Sequence, residues 1–237
     1  NSEERMPHVE QHSSITASNE YCDRIRDTFA SLKAVTRFDE AISRSLKIPD
    51  NRGYLCCVSE MHLTDEHVIG LLADFRANAA TFHNSFTVTH EGTRRWLKAA
   101  LLDVPDRILF LVMDTWGHVI GHLGFAHADN PAGEMELDNV IRGISHASPG
   151  LMSMATECLI RWANDTFGPR SITLRTLDDN HHAIRFYSVL GFTRTSLQPL
   201  RRVEANGEIN HIPMSEADPE KPDRFFVCMS RPLAKAA

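Results

Sequence analysis

Glu134, Glu136 and Asp138 recur at every second position of the segment Glu134–Arg142. If that segment is a strand, the period sets the three carboxylates on one face and Met135, Leu137, Asn139 and Ile141 on the other. A primary ammonium has a pKa of about 10 in water, so an amine must lose a proton before it can attack a carbonyl. A carboxylate beside it, directly or through a water, can take that proton. Glu136 is the first candidate for this base and Asp138 the second; the alternative is a solvated sheet face. Tyr187 is a candidate acid. Its phenol titrates at about 10, so passing a proton to a leaving group of similar or slightly lower basicity costs little. The alternative is a core aromatic with its hydroxyl satisfied by backbone.

A third chemical feature is a helix start. Ser148 can serve as N-cap and Pro149 as the first helical residue, and Gly150 removes a side chain from the first turn. Leu151, Met154, Ala155, Cys158, Leu159 and Trp162 then recur at three, four, seven, eight and eleven, a single apolar stripe. The first turn of such a helix presents bare N–H groups and the positive end of the dipole, which suits a pyrophosphate. Arg142 or His146, in the loop just before, could add charge.

The elements that must position these groups are legible around Tyr187. Ser171–Leu177 alternates in period two, as a half-buried strand does. Asp179 or Asn180 can cap the next helix, in which Ala183, Phe186, Tyr187 and Leu190 fall at helical spacing. Gly191 ends it from the C′ position, and Phe192 starts another strand. The set Asn180, Ala183, Tyr187 and Gly191–Phe192 resembles the C-terminal half of the GCN5-related N-acetyltransferase (GNAT) family.

The order of elements extends that resemblance over about residues 53–232. Tyr54–Ser59 reads as a strand, Thr64–Asp65–Glu66 opens a helix through Val68, Leu71, Leu72 and Phe75, and a second helix carries Trp96, Leu97 and Leu101. Arg107–Asp114 and His118–His127 form an antiparallel pair around Trp116–Gly117. Asn206–Gly207 is a hairpin signal, and Phe225–Met229 reads as the closing strand. The loop Pro213–Asp223 interrupts the last strands and is placed to fold over a substrate. The polar, aromatic connection Phe82–Thr87 supplies the substrate-binding candidates His83, Asn84 and Phe86.

The resemblance implies a mixed α/β fold, with a sheet of about seven strands flanked by helices. It also implies acetyl-CoA as co-substrate, without a metal. The backbone of Asn139, Val140, Ile141 and Arg142 would bond the pantetheine and polarise the thioester carbonyl, Asn180 would hold the pantetheine amides, and Tyr187 would face the sulfur. His146, Ser148, Gly150, Leu151 and Met152 fall where the family cradles the pyrophosphate. There the family's Gln/Arg-x-x-Gly-x-Gly/Ala loop reads Ala147–Met152, and only the central glycine matches.

The first 17 residues are polar and read as a mobile lead-in. An amphipathic helix is expected over Asn19–Leu46, broken near Val35–Thr36, with a turn at Pro49–Gly53. Residues 1–52 thus form an N-terminal helical extension, 53–232 the acyltransferase domain and 233–237 a tail. The extension could cover the main domain or pair with a second copy.

Composition narrows the rest. The chain has 237 residues and a net charge of −6, so a nucleic-acid partner is not expected. The longest apolar run, Ile108–Met113, is a strand's length, so neither is a membrane span. The five cysteines lack metal spacing and are read as reduced, which with the polar N-terminus suggests the cytoplasm. His118 and His122 share a strand face but lie about 13 Å apart, too far for one metal. The sequence therefore points to N-acetyl transfer from acetyl-CoA to a small-molecule primary amine, by direct attack in a ternary complex. Glu136–Gly143 and Pro149–Met152 resemble family members of surface-sugar pathways, which suggests an amino-sugar nucleotide as acceptor. The alternatives are a protein N-terminal acetyltransferase and a non-catalytic acyl-CoA-binding module.

Overall fold

The computed structural model describes residues 8–79, 87–144 and 148–234, with side chains from residue 18 onward. Two helices, α1 (His8–Lys33) and α2 (Phe38–Ser43), lead into strands β1 (Leu46–Ile48) and β2 (Gly53–Cys57). Helices α3 (Glu66–Asn78) and α4 (His90–Trp96) follow, and α4 runs on as a π-helical turn over Leu97–Leu102. Strands β3 (Ile108–Asp114), β4 (Val119–Ala126) and β5 (Glu134–Arg142) form a meander. The chain closes with α5 (Leu151–Phe167), β6 (Ser171–Leu177), α6 (His181–Val189), β7 (Thr193–Ala205), β8 (Glu208–Pro213) and β9 (Arg224–Pro232).

Among the described residues, nine strands join one mixed sheet in the order β1-β2-β3-β4-β5-β6-β9-β7-β8, with β5 and β6 parallel and the other neighbours antiparallel. The architecture is the expected one, with nine strands where about seven were anticipated. The short β1 adds an edge, and the Asn206–Gly207 turn extends the other edge by β8. The closing strand lies between β6 and β7, so the last strands are not in chain order.

The run Ile108–Met113 is apolar on both faces because both are covered. Ile108, Phe110 and Val112 enter the core shared with α1, α5 and α6, whereas Leu109 and Leu111 enter the core under α3 and the π turn. Cys56 and Cys57 fall in different clusters, as adjacent strand residues should, and the cysteines are free.

The N-terminal extension covers the main sheet. Ile25, Phe29 and Leu32 enter the large core, and Phe29 meets Trp162 and Phe167 of α5 at 6.5 and 5.9 Å between ring centroids. Lys33 is buried at the end of α1. Its ammonium donates to the carbonyls of Leu101, Val104 and Arg107 at 3.3, 2.6 and 3.0 Å, and burial lowers its pKa. The helix begins at His8, earlier than the mobile lead-in expected over 1–17. It breaks at residues 34–37, close to the expected point. The second expected boundary moves: Leu46 opens β1, pairing antiparallel with β2, instead of ending a helix. No helix among the described residues is long and apolar enough to cross a membrane.

Candidate active site

Strands β5 and β6 pair only where Glu134–Glu136 meets Ser171–Thr173; beyond that they diverge. A bulge on the other side of β5 accompanies the departure. Gly124 pairs with Asp138 and His122 with Ile141, so Leu123 stands opposite two residues, Asn139 and Val140. Asn139 takes the left-handed conformation (φ +53°), and its carbonyl accepts a 2.7 Å hydrogen bond from His122 Nδ1. The ring is fully buried against Phe75, and desolvation pulls its pKa down to about 4 despite that bond. A carbonyl only accepts, so Nδ1 carries the proton; Nε2 is buried without a partner among the described residues.

The bulge corrects the expected alternation. Met135 and Leu137 face the core under α5, but Asn139 and Ile141 do not continue that face. Past the bulge Val140 packs there instead, and Ile141 joins the opposite core. One inserted residue exchanges the two faces.

Between the diverging strands lies a cavity of about 490 Å³, a size ordinary for small-molecule sites. Glu136, Asp138, Asn139, Val140 and Ile141 line it from β5. Asn180, Ala183 and Tyr187 line it from α6. Asn180 is the N-cap of α6, its Oδ1 accepting from Ala183 N–H at 3.1 Å; that leaves its amide NH₂ for other partners. Asp179, the other capping candidate, is bound by Arg224 at 2.9 Å. Tyr187 is buried on the inner side of α6. Burial first, and the charge of Asp138 second, hold its phenol above the usual range.

Both candidate bases are held by arginines. Arg107 Nη2 donates to Asp138 Oδ2 at 2.5 Å, and the Asn139 amide donates to the same oxygen at 2.8 Å. Arg175 reaches Glu136 Oε1 through Nε at 3.0 Å and Nη2 at 2.9 Å, while Glu136 Oε2 faces His127 Nε2 at 3.9 Å. The cavity also meets Arg76 and Trp96 from the α3–α4 side, and His211 and Pro213 from β8. His211 Nε2 is paired with Asp223 at 2.6 Å, which ties the two ends of the Pro213–Asp223 loop together beside the cavity.

The start of α5 differs from the sequence expectation. Ser148 is not the N-cap: it is left-handed (φ +48°), and the helix begins two residues later, with Gly150 as N-cap, also left-handed (φ +79°). Consecutive reversals at 148 and 150 form a turn instead of a capped entry. Leu151 N–H is taken by the Ser148 carbonyl at 3.1 Å. Among the described residues nothing lies within 4 Å of where a side chain at Gly150 would sit, so none of them crowds the first turn. Arg142 is exposed at the end of β5, its Nε donating to the Ile144 carbonyl at 3.1 Å. Arg52 Nη2 donates to the Pro149 carbonyl at 2.8 Å, which brings a cation to this helix start. A first turn uncrowded by the described residues, a left-handed glycine and an adjacent guanidinium fit a pyrophosphate.

The structure thus brings Glu136, Asp138, Asn139, Val140, Ile141, Asn180 and Tyr187 to one cavity; Arg142, Ser148, Gly150, Leu151 and Met152 lie around the start of α5. His83, Asn84, Phe86 and His146 lie outside the described residues. Sequence reasoning missed Arg52, Arg76, Trp96, Arg107, Arg175 and His211. None carries a local signal: Arg52 and Pro149 are 97 positions apart, and Arg107 and Asp138 are 31. No group of histidine, cysteine and acidic residues among the described residues could hold a metal ion.

A sequence profile of the family described as acetyltransferase (GNAT) domain matches residues 60–193. Solved structures share the fold at low identity. A probable acetyltransferase (GNAT family) from Chromobacterium violaceum superposes with a TM-score of 0.59 at 15% identity, over 79% of this chain and 86% of its own. RimL, a ribosomal-protein alpha-N-acetyltransferase, gives 0.58 at 13%, over 80% and 94%. The spermidine/spermine N-acetyltransferase SpeG from Vibrio cholerae gives 0.52 at 12%, over 76% and 92%. No curated protein sequence matches the chain.

Proposed function

The chain belongs to the GNAT acetyltransferase family, and from that premise we propose that it transfers an acetyl group from acetyl-CoA to a primary amine of a small molecule. Members of this family use acetyl-CoA as co-substrate. The observation that carries the reading is the cavity between β5 and β6, where a buried tyrosine, a bulged backbone and two carboxylates converge.

When bound, acetyl-CoA supplies an activated acyl carbon and a thiolate leaving group. The strand segment Asn139–Ile141, bulged on one side and diverging from β6 on the other, offers backbone groups to the pantetheine amides and the thioester carbonyl. Asn180 offers its side-chain NH₂ to the same arm. The first turn of α5, Gly150–Met152, receives the pyrophosphate, with Arg52 and Arg142 as nearby cations. Glu136 or Asp138 takes the ammonium proton, directly or through a water, so that the amine lone pair can form the C–N bond. As the C–S bond breaks, Tyr187 shares its hydroxyl proton with the departing sulfur and the new amide nitrogen gives up its second proton to restore it, so that the products are the amide, the CoA thiol and one proton held on the carboxylate. The raised pKa of Tyr187 keeps the phenol protonated and favours a shared hydrogen bond over full transfer.

An amino-sugar nucleotide, the acceptor suggested by the wording of β5 and the α5 start, remains part of this proposal. The test has two parts. Calorimetry with acetyl-CoA and with desulfo-CoA measures cofactor binding, and thiol release over a panel of amines measures turnover. Acetyl-CoA binding with turnover on at least one small amine is the expected result. Binding without turnover on any amine or peptide N-terminus would leave an acyl-CoA-binding module, and turnover on peptides alone would make the acceptor a protein N-terminus.

A further inference from the structure

The peptide between Asn139 and Val140 is held from behind by a histidine that packing alone does not call for. His122, on β4, is fully buried, its ring centroid 6.4 Å from that of Phe75 in the core under α3. An apolar side chain would fill that place without desolvating anything polar. The imidazole brings two nitrogens into it, and Nε2 has no partner among the described residues. With its pKa lowered to about 4 the ring is neutral at neutral pH, and its one proton lies on Nδ1, 2.7 Å from the Asn139 carbonyl. What the histidine supplies is that single hydrogen bond.

The bond bears on the cavity through the planarity of the peptide. In a trans peptide the carbonyl and the next N–H point in opposite directions. The Asn139 carbonyl points at His122, on the α3 side of the sheet, so the Val140 N–H points away from it. That is the side on which Val140 packs and α6 presents Tyr187. Neither Asn139 nor Val140 is paired in the β4 ladder, and Asn139 is left-handed, so the ladder does not orient this peptide. The His122 contact takes the place of the missing ladder bond.

We infer that His122 is a positioning residue: by holding the Asn139 carbonyl it aims the Val140 N–H at the thioester oxygen, on the side from which Tyr187 reaches the sulfur. This rests on the acetyl-transfer reading given above. A donor already aimed needs no reorganisation as negative charge develops on that oxygen. His122 itself touches no substrate; it acts through the peptide plane.

Three variants test this. In His122→Asn the amide nitrogen lies two bonds from Cβ, as Nδ1 does; in His122→Gln it lies three bonds away, as Nε2 does; His122→Leu has no donor. Infrared difference spectra of bound and free acetyl-CoA, labelled at the carbonyl carbon and without acceptor, read the polarisation directly. The wild type should lower the thioester carbonyl stretch, Asn should keep most of that shift, and Gln and Leu should lose most of it. With an accepted amine, kcat should fall roughly 10- to 100-fold in Gln and Leu, short of the loss of a whole oxyanion donor. Acetyl-CoA affinity by calorimetry should change less than about threefold, because the bond acts on the transition state rather than on binding. A histidine that serves only packing would lower Tm in all three variants and leave the carbonyl stretch alone. If Leu does not fold, the comparison of Asn with Gln decides, and equal shifts in those two would overturn the inference. The two readings fail separately. A shift that is lost in Gln, with no turnover on any amine, keeps the aimed N–H and removes acetyl transfer. Turnover with the same shift in every variant keeps acetyl transfer and removes the role of His122. No binding of acetyl-CoA to the wild type would remove both.

Discussion

Phe192 N–H donates to the Tyr187 carbonyl at 3.0 Å, and the two rings meet edge to face with centroids 5.9 Å apart. Gly191 N–H donates to the Ser188 carbonyl at 3.1 Å in the same turn. These two bonds and the ring contact are the parts of a Schellman motif, with left-handed Gly191 at C′. The motif fixes the last turn of α6 and with it the inward orientation of Tyr187. A residue proposed to act on the thioester is therefore held by the stop signal of its own helix.

Tyr187→Phe keeps the ring, the motif and the core contact and removes only the hydroxyl. If that hydroxyl donates to the leaving sulfur, kcat falls roughly 100-fold or more, while acetyl-CoA affinity stays close to wild type. Steady-state thiol release with calorimetry reads both numbers; unchanged turnover would remove Tyr187 as the acid.

Gly191→Ala tests the motif. At φ +84° an alanine is strained, but its Cβ would come no closer than 3.8 Å to Arg231, so strain is the main cost. Left-handed alanine costs about 1 kcal/mol, which in a domain of this size lowers Tm by about 2–4 °C. A drop of that order in thermal unfolding is expected, and no change would mean the turn relaxes.

The base is decided by a pair of variants. Glu136→Gln and Asp138→Asn each preserve shape but remove the charge and exchange one accepting oxygen for a donating NH₂. The variant that removes the base lowers kcat by roughly 100-fold or more and flattens the acid limb of the kcat/KM profile. The other loses an arginine partner and should show its effect mainly in KM. Equal, small effects from both would mean that neither carboxylate takes the proton.

Stability should fall on the acid side for a reason visible in the core. His122 is held down to about 4 by burial, and burial also lowers His62. In the unfolded chain a histidine titrates near about 6.5, so protons bind the unfolded state preferentially. Stability from these groups is complete above about pH 6.5 and is lost as the pH drops below it, for His122 toward about 4. For His122 the total is about 3 kcal/mol, with a slope of at most about 1.4 kcal/mol per pH unit. His122→Asn keeps a donor for the Asn139 carbonyl and should show a shallower acid limb in urea unfolding. An unchanged limb would contradict the buried neutral ring.

Arg52→Gln tests the α5 start. Loss of a cation at a pyrophosphate site should weaken acetyl-CoA roughly 3- to 10-fold, with kcat and Tm little changed because the residue lies at the surface. Wild-type affinity would place the phosphates elsewhere.

What the sequence could tell was set by the range of each interaction. Strand β6, helix α6 and the Gly191 stop are local, so their periods and breakers expose them. The α5 stripe is equally local, yet its first residue was misplaced by two, because a serine before a proline reads as a cap whether or not the backbone has already turned left-handed. The bulge at Asn139–Val140 leaves no trace in composition. Strict alternation carried Asn139 and Ile141 onto the wrong face, and only the register against β4 corrects it. The arginines of the cavity are invisible for a different reason: Arg76, Arg107 and Arg175 sit on three elements, and only the folded sheet gathers them around Asp138 and Glu136.

The most direct test is the structure of crystals grown with CoA. The account predicts the pantetheine arm along Asn139–Ile141, the sulfur within hydrogen-bond distance of the Tyr187 hydroxyl and the pyrophosphate over Gly150–Met152. CoA bound at another surface, or a cleft between β5 and β6 closed by the chain's own side chains, would contradict it.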